Sequence, residues 1–581
     1  MKSSFLSLIH IKFPISNMKK FLFISILSCM FVTAIQVNAI TRVVNVGSLE
    51  GELTKALRDT IQRLGLNYSD TLFINFDRVG CDTIRGTVSA NCNVVISGLG
   101  RCKSTVVLDN GLDSPGFTAF SDDSFFVMKG TLDNNIYVSI TDLSFRLVDH
   151  TGIWWSKPSE KYAVKIYHAN MVNISNVDSY LKNAACTNFD LRVCSNITVN
   201  NCNFINYNNC NTGGNLWIRG ETHNVSVTGN RFYKYGNDES LAVFSHLVNA
   251  NTDEKGNVTR SNINITDNEF YYGYDDADKS SLFNDMQFSL YSGSSSTHSC
   301  TTRGFLFSEN KFHINDLTHR AMYVAFNDVD TFSNVQINNN IFIDNYVGSV
   351  TRYYRNEIEV SDLSSHNDTV FFSNNVFRNY NPVINSSGTN GAAYFLLQGG
   401  KVCLDSNIFQ NTVTSDTATN NDIGVTLVWC GEHGGDIILK NNICLNLKHL
   451  ARVSAGNGIS KFKITADDNM FQGDTRIYCN VIDTLDLSFN KNLFISNDMN
   501  FFLQEFASTG SVVFNDNNVF VKTSGGKLMT HWTSNPTSSM HFSILEVKNN
   551  LFRGVSSIDN LLKYITNVSN RTVEGNINIQ N

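Results

Sequence analysis

The chain is expected to fold as an all-β stacked-repeat solenoid, and three features of its sequence predict this. A short pattern, plainest as Val335-x-Ile337-x-x-Asn340-x-Phe342, recurs along most of the 581 residues. Its Asn positions from Asn230 to Asn550 are separated by 23 to 42 residues, and self-similarity at such a period marks a stacked array. Only five prolines occur in the whole chain, which suits continuous ladders, because proline cannot donate to them.

Each copy of the pattern has a physical reading. Val-x-Ile is a short strand with alternate residues turned inward. The two residues before Asn are mostly polar, as a turn requires, and Phe two after the Asn opens a second inward-facing strand. Copies read Val225-x-Val227-x-x-Asn230-x-Phe232 and Ile263-x-Ile265-x-x-Asn268-x-Phe270. Others start at Phe305, Val370, Val402, Ile437, Ile464, Leu487 and Leu545. The copy at Ile197 carries Cys202 in the Asn position, the one at Val138 carries Leu143, and the one at Ile437 ends in Cys444. Near Val512 two registers are possible. An Asn amide both donates and accepts, so a column of them can bond from coil to coil at the ~4.8 Å strand spacing, with Phe rings stacked beside it.

This pattern resembles the right-handed parallel β-helix of the pectate-lyase superfamily over roughly residues 90 to 579. The resemblance implies Asn ladders, aromatic stacks and a single β-helical domain, and it leaves the activity open, because one solenoid hosts many chemistries. The Leu-x-x-Leu-x-Leu framework of leucine-rich repeats is absent. A propeller needs four strands per repeat, for which the 23 residues between Asn469 and Asn492 leave little room.

Taken in order, residues 1–39 read as a signal peptide: Met18-Lys19-Lys20 is basic, Phe21 to Ile35 is largely apolar, and Val37-Asn38-Ala39 offers a cleavage site. Met18 is an alternative start. Ile26-Leu27-Ser28-Cys29 is an alternative lipoprotein box, although the apolar run continues past Cys29. The mature protein is therefore expected to be secreted, periplasmic or at the cell surface, with no transmembrane segment. Residues 40–90 are expected to form an N-terminal cap. Leu49, Leu53, Leu57 and Ile61 fall on one helical face within Gly47–Leu64, and a helix there, followed by Thr71–Phe76, would close the open end of the stack. Residues 91–581 are expected to be the β-helix proper, its last coil running through Thr572 to Ile579. The net charge of −7 gives no footprint for nucleic acid. Thirteen cysteines match no paired zinc spacing; most are expected as small buried residues, with Cys81, Cys92 and Cys102 near enough to offer a disulfide.

The repeat is stretched at one place. Asn230 to Asn268 takes 38 residues and Asn268 to Asn310 takes 42, so two adjacent coils carry extra chain within Tyr233–Ser261 and Tyr271–Arg303. Insertions in solenoids gather on one face and commonly build the binding surface. Both begin alike, as Gly236-Asn237-Asp238-Glu239 and Gly273-Tyr274-Asp275-Asp276. Stacked, the four carboxylates Asp238, Glu239, Asp275 and Asp276 would crowd, so one would hold a raised pKa, a cation would bind, or basic groups would intervene. They are the candidate catalytic acids, together with Arg219. Asp238, Asp275 and Asp276 are the candidate ligands if Ca²⁺ is bound; the alternative is no cofactor, with the acids serving as ordinary turn residues. Candidate substrate contacts are Trp217, Tyr271 and Tyr274, which could stack on sugar rings, with Lys279 and His246. A strand Arg such as Arg219 would otherwise be solvated, and adjacent aromatics otherwise have one partner in the core.

One coil earlier, aligning Leu216-Trp217-Ile218 with Leu241-Ala242-Val243 sets Gly213 beside Asp238. This resembles polygalacturonase-type glycoside hydrolases, whose Asn-Thr-Asp-Gly turn precedes a Gly-Asp-Asp turn one coil on. Here Gly213 stands in place of the first aspartate and Glu239 in place of the last, and neither a Gly-His-Gly nor an Arg-Ile-Lys motif follows. Arg219-Gly220-Glu221-Thr222-His223 resembles the Arg-His-Gly segment of chondroitinase-type lyases, without their upstream Glu-x-Glu and Lys. No Ser/His/Asp set is visible. The expected function is therefore an exported carbohydrate-active enzyme, glycosidase or lyase, with a polysaccharide as partner. The alternative is a non-catalytic surface β-helix that binds glycan or matrix.

Overall fold

The computed structural model describes residues 39–109, 124–148, 161–182, 186–207, 214–235, 240–244, 258–272, 286–291, 299–314, 320–344, 356–362, 368–380, 393–411, 425–431, 433–453, 461–480, 483–496, 501–504, 509–522, 527–531 and 541–579. They form a right-handed parallel β-helix. Three strands make a coil, and every strand pairs in parallel with its counterpart in the next coil, giving three long faces. Sheet A holds the strand before the turn Asn, such as Thr222–Thr228 and Val258–Thr266. Sheet B holds the strand after it, such as Arg231–Tyr235 and Glu269–Tyr272. Sheet C closes the coil, with Leu216–Arg219, Leu241–Phe244 and Met286–Tyr291 among its strands.

The first two coils use the longer A-to-B turns 77–79 and 99–103, whereas from Asp142 onward the turn from A to B is the fixed point of each coil. It consists of two residues, for example Asp267 and Asn268 between Thr266 and Glu269. The first lies in the left-handed region, from Asn201 (φ 51°) and Asp267 (56°) to Lys491 (57°) and Gly575 (66°), and the polar pair expected before each Asn comes from this demand. The second is the ladder Asn. Asn310 Oδ1 accepts from Asn268 N and Nδ2, each at 3.0 Å, while Asn268 Nδ2 also donates to Val227 O at 2.9 Å. The same bonding continues through Asn340, Asn375, Asn407, Asn442, Asn469, Asn492, Asn517 and Asn550 to Asn576. Pairing of Val512 with Leu487 and Leu545 settles the ambiguous copy with Asn517 in the ladder.

Cys202 sits in the column as a thiol substitute. Its N–H donates to Asn230 Oδ1 at 3.0 Å, and its Sγ contacts Ile174 O at 3.7 Å, as Asn230 Nδ2 contacts Val199 O at 2.9 Å one coil on. Beside the ladder the inward Phe rings stack: Phe232–Phe270 at 5.0 Å, Phe270–Phe312 and Phe312–Phe342 at 4.7 Å, Phe342–Phe377 at 4.6 Å. Each ring buries a large apolar area and adds a ring–ring term.

A helix, α1 (Leu53–Leu64), lies against the first coils with Leu57 fully buried. It starts later than the apolar spacing suggested. The Glu52 side chain caps it by accepting from Thr54 N and Lys55 N at 3.0 and 2.7 Å, Gly51 at φ 82° breaks the chain before it, and Val46–Ser48 is a separate 3-10 turn. Parallel pairing runs through the stretch read as a cap, since Thr41–Asn45 pairs with Thr71–Phe76 and the latter with Asn93–Gly98. Near the other end a short helix, α2 (Ile558–Leu561), stands where a sheet C strand would. Leu561 O accepts from Leu528 N at 2.9 Å, and Leu561, Leu562 and Ile565 are buried. Among the described residues, no helix is long and apolar enough to cross a membrane. Cys81, Cys92 and Cys102 are free thiols, the first and third exposed and Cys92 buried.

Candidate functional site on the outer face of sheet C

From Asp142 onward the A–B turn keeps its two-residue length, so variable chain there enters elsewhere. Every segment between residues 109 and 541 that lies outside the described residues borders a strand of sheet C. The two long insertions follow this rule: 236–239 and 245–257 flank Leu241–Phe244, and 273–285 and 292–298 flank Met286–Tyr291. Sheet C is therefore the face on which a binding surface would be built.

Strand alternation presents two axial rows on that face, because Leu216, Ile218, Leu241 and Val243 point into the core. One row runs Lys165, Asp190, Trp217, Ala242, Ser289 and Tyr323, continuing to Glu359, Leu396, Trp429 and Arg452. The other runs Tyr167, Arg192, Arg219, Phe244, Tyr291 and Ala325.

The first half of the face is a buried ionic cluster. Asp190 sits between two guanidinium groups, with Arg192 Nε at 2.6 Å from Oδ2 and Arg219 Nε at 2.9 Å from Oδ1. The second contact is close, but its N–H is poorly aligned for a hydrogen bond. Tyr162 Oη accepts from Arg192 Nη2 at 2.9 Å and from Arg219 Nη2 at 3.3 Å. The Arg219 guanidinium lies 4.3 Å from the Trp217 ring centroid and 4.8 Å from that of Phe244, at distances where cation–π attraction is strong. Burial disfavours the Arg192 charge, yet Asp190 beside it and the Tyr162 and Tyr167 hydroxyls hold its pKa above the ordinary value.

Two sequence expectations change here. Arg219 is neither solvated nor open to a sugar acid: it is 0% exposed and tied to Asp190. Trp217 is only 4% exposed, with one ring face against Arg219 and with Tyr162 and Phe244 set edgewise to it. Tyr271 is elsewhere, on the outer face of sheet B. Its ring stacks 4.5 Å from Tyr233 on one side and 4.5 Å from His313 on the other, so neither face is left for a sugar. Its hydroxyl donates to Glu269 Oε2 at 2.5 Å. Burial and that carboxylate push the Tyr271 pKa up to about 12, while the hydrogen bond lowers that of Glu269. Burial, then Lys311, lowers that of His313.

The alignment of Leu216 with Leu241 holds as expected. Gly213, Asp238, Glu239, His246, Tyr274, Asp275, Asp276 and Lys279 lie outside the described residues. Among the described residues no three His, Cys, Asp or Glu side chains converge to hold a metal.

The second half of the face is more open. Tyr291, Tyr323, Trp429 and Arg452 are half-buried, while Glu359 is 4% exposed and accepts from Gln398 Nε2 at 3.3 Å. The Arg452 guanidinium lies 5.0 Å from the Trp429 ring centroid. Sequence reasoning missed Tyr162, Lys165, Asp190, Arg192, Glu359, Trp429 and Arg452. Polar and aromatic residues at alternate positions in strands, as in Asp190-x-Arg192 and Trp217-x-Arg219, were the available signal.

No protein-family model matches the chain, and no curated protein does. The chain is similar to solved structures at low identity. A tailspike protein of E. coli bacteriophage HK620, in complex with a hexasaccharide, is 13% identical over 94% of this chain and 79% of that one, with a TM-score of 0.38. DFA-IIIase from Arthrobacter chlorophenolicus A6 is 12% identical over 70% and 94%, with a TM-score of 0.39. An exopolygalacturonase from Thermotoga maritima is 11% identical over 78% and 92%, with a TM-score of 0.35.

Proposed function

We propose that this chain is an exported carbohydrate-active protein that holds an extended polysaccharide along the outer face of sheet C. One observation carries the reading: half-buried Tyr323 and Trp429 share a single axial row with Glu359 between them and Arg452 beyond. Tyr323 and Trp429 are three coils apart, or ~14 Å at the strand spacing. Aromatic bodies that also carry polar groups, set at coil intervals between charged neighbours, suit a chain of sugar rings lying parallel to the helix axis. The insertions that border Leu241–Phe244 and Met286–Tyr291 in the chain carry acids in their sequence. In this reading Asp238, Glu239, Asp275 and Asp276 cleave the glycan as hydrolase or lyase, with Ca²⁺ as the cation if Asp238, Asp275 and Asp276 hold one.

A second reading, glycan binding without turnover, is favoured by Asp190. With Glu359 it is one of two acids two coils from the insertion-bearing strands on the described face, and both its oxygens are engaged by arginines. Purified residues 40–581 presented with a polysaccharide panel, with and without Ca²⁺, separate the two. Reducing ends alone mean hydrolysis, reducing ends with new ultraviolet absorbance mean elimination, and retention without either means binding only. Trp429→Ala should weaken retention by at least tenfold; unchanged retention removes sheet C as the glycan face.

A further inference from the structure

The segment Arg219-Gly220-Glu221-Thr222-His223 turns the chain from sheet C into sheet A, with Gly220 at φ 76°. Arg219 belongs to the buried cluster on sheet C, and His223 belongs to a different surface. His223 Nδ1 lies 2.8 Å from Ser261 Oγ in the next coil, and His223 Nε2 lies 3.3 Å from Glu221 Oε1. With Ser261 donating its O–H to Nδ1, the imidazole proton sits on Nε2 and faces the carboxylate. That order of nucleophile, base and orienting acid is defined by geometry, not by sequence position.

The backbone explains how the residues meet. Asn224 (φ 58°), Asn262 (φ 54°) and Gly304 (φ 68°) form a second left-handed column, inside the strands of sheet A. Asn262 Nδ2 donates to Asn224 Oδ1 at 3.0 Å, tying two members together. This irregularity shifts the alternation by one, so Thr222, Arg260 and Thr302 are buried while His223, Ser261 and Arg303 face outward. Because neighbouring strands carry the left-handed residue at the same position, their register is kept and the re-aimed row is shared from coil to coil. His223, Ser261 and Arg303 thus occupy the same register position in three successive coils. Arg303 is exposed, one strand spacing from Ser261.

We propose that Ser261, His223 and Glu221 form a serine-esterase site, with the Arg303 guanidinium stabilising the developing oxyanion. Ser261 Oγ attacks the carbonyl carbon of a small O-acyl ester as its proton passes to His223 Nδ1. The ester C–O bond breaks, and the alcohol leaves with that proton, giving an acyl-serine. Water then attacks, His223 takes its proton, and the C–Oγ bond breaks to release the carboxylic acid and restore Ser261. The sum is ester plus water giving alcohol plus acid, and no other reactant is needed. Ser261, His223 and Arg303 are catalytic residues, and Glu221 is a positioning residue. The site stands apart from sheet C and does not rest on the glycan reading.

The test uses the full chain with a fluorophosphonate probe and p-nitrophenyl acetate. One covalent adduct is expected, mapped by mass spectrometry to Ser261 and absent in Ser261→Ala, while Ser333→Ala, two coils on in the same row, labels normally. His223→Ala should lower kcat at least about 100-fold, the lower range for a positioned base. Glu221→Gln should lower kcat with KM unchanged, a split that a merely structural role would not give. Because the adduct is mapped on the unaltered protein, misfolding of a variant does not blur the answer. No adduct at Ser261, or hydrolysis by Ser261→Ala at the unaltered rate, overturns the proposal.

Discussion

Asn268 Oδ1 accepts two hydrogen bonds from Asn230, one from its backbone N–H and one from Nδ2, each at 3.0 Å. A side chain in one coil thus satisfies a backbone group in another, and the relation repeats along the stack. Asn340→Ala removes the acceptor for Asn310 N and Nδ2 and the donor to Phe307 O. At about 1–3 kcal/mol for each buried group left unmet, the loss should be at least about 3 kcal/mol, read from the urea midpoint. Asn264→Ala, exposed on sheet A, should change it by less than about 0.5 kcal/mol.

Lys491 occupies the left-handed position before Asn492, at φ 57°. Relief of about 1–2 kcal/mol of strain outweighs the extra unfolded-state freedom of glycine, about 0.4–1 kcal/mol. Lys491→Gly should therefore raise the urea midpoint slightly. Lys491→Val should lower it, because a branched side chain is the poorest fit to that conformation.

Asp190 sets the charge balance under the first half of sheet C. Asp190→Ala leaves the Arg192 and Arg219 charges buried without it, and breaking such a pair costs about 3–5 kcal/mol. Calorimetry should show a large fall in Tm. Replacing Arg219 by Met in the same protein should recover part of it, since one of the stranded charges is removed.

Burial raises the Cys92 thiol to about 11 and the Cys194 and Cys202 thiols to about 12. The folded thiols keep their protons where unfolded ones, at 9.0, release them. Their contribution is thus complete below pH 9 and is lost as pH rises toward 12. Urea midpoints should fall on that alkaline limb. Among the described cysteines, Cys81 and Cys102 should react first with a thiol reagent at pH 8, and labelled peptides identify them.

His313 acts at the other limb. Its folded pKa lies below the ordinary 6.5, so the stability it lends is present above pH 6.5 and is lost as pH falls through the folded value. His313→Phe keeps a ring against Tyr271 and removes the titration. The decline in stability below pH 6.5 should become shallower in this variant; an identical decline would place its origin in other groups.

The fold was legible because each coil writes its turn in the same letters. Asn340 and Phe342 announce a ladder and a stack at any coil spacing, and Leu216 against Leu241 gave the sheet C register. The four-residue helix α2 was not legible, since so short a segment has no apolar period. The site was harder to read for a different reason. Arg219 looks like a surface residue until Asp190 is set beside it by the stacking of one coil on another. His223 and Ser261 meet only because Asn224 and Asn262 adopt left-handed backbone inside strands, where the sequence pattern expects plain alternation.

The two-residue turn shared by the ladder coils has a consequence for the modularity of the chain. Asn375 and Asn407 make identical bonds to their neighbours and are 32 residues apart. Excising residues 376–407 would join Asn375 to Ile408 and leave a ladder running from Asn340 through Asn375 to Asn442. Duplicating the same stretch would add one coil by the same joint. Whole-coil excision or duplication therefore preserves the ladder, whereas the spacing between ladder residues is absorbed at the two ends of sheet C.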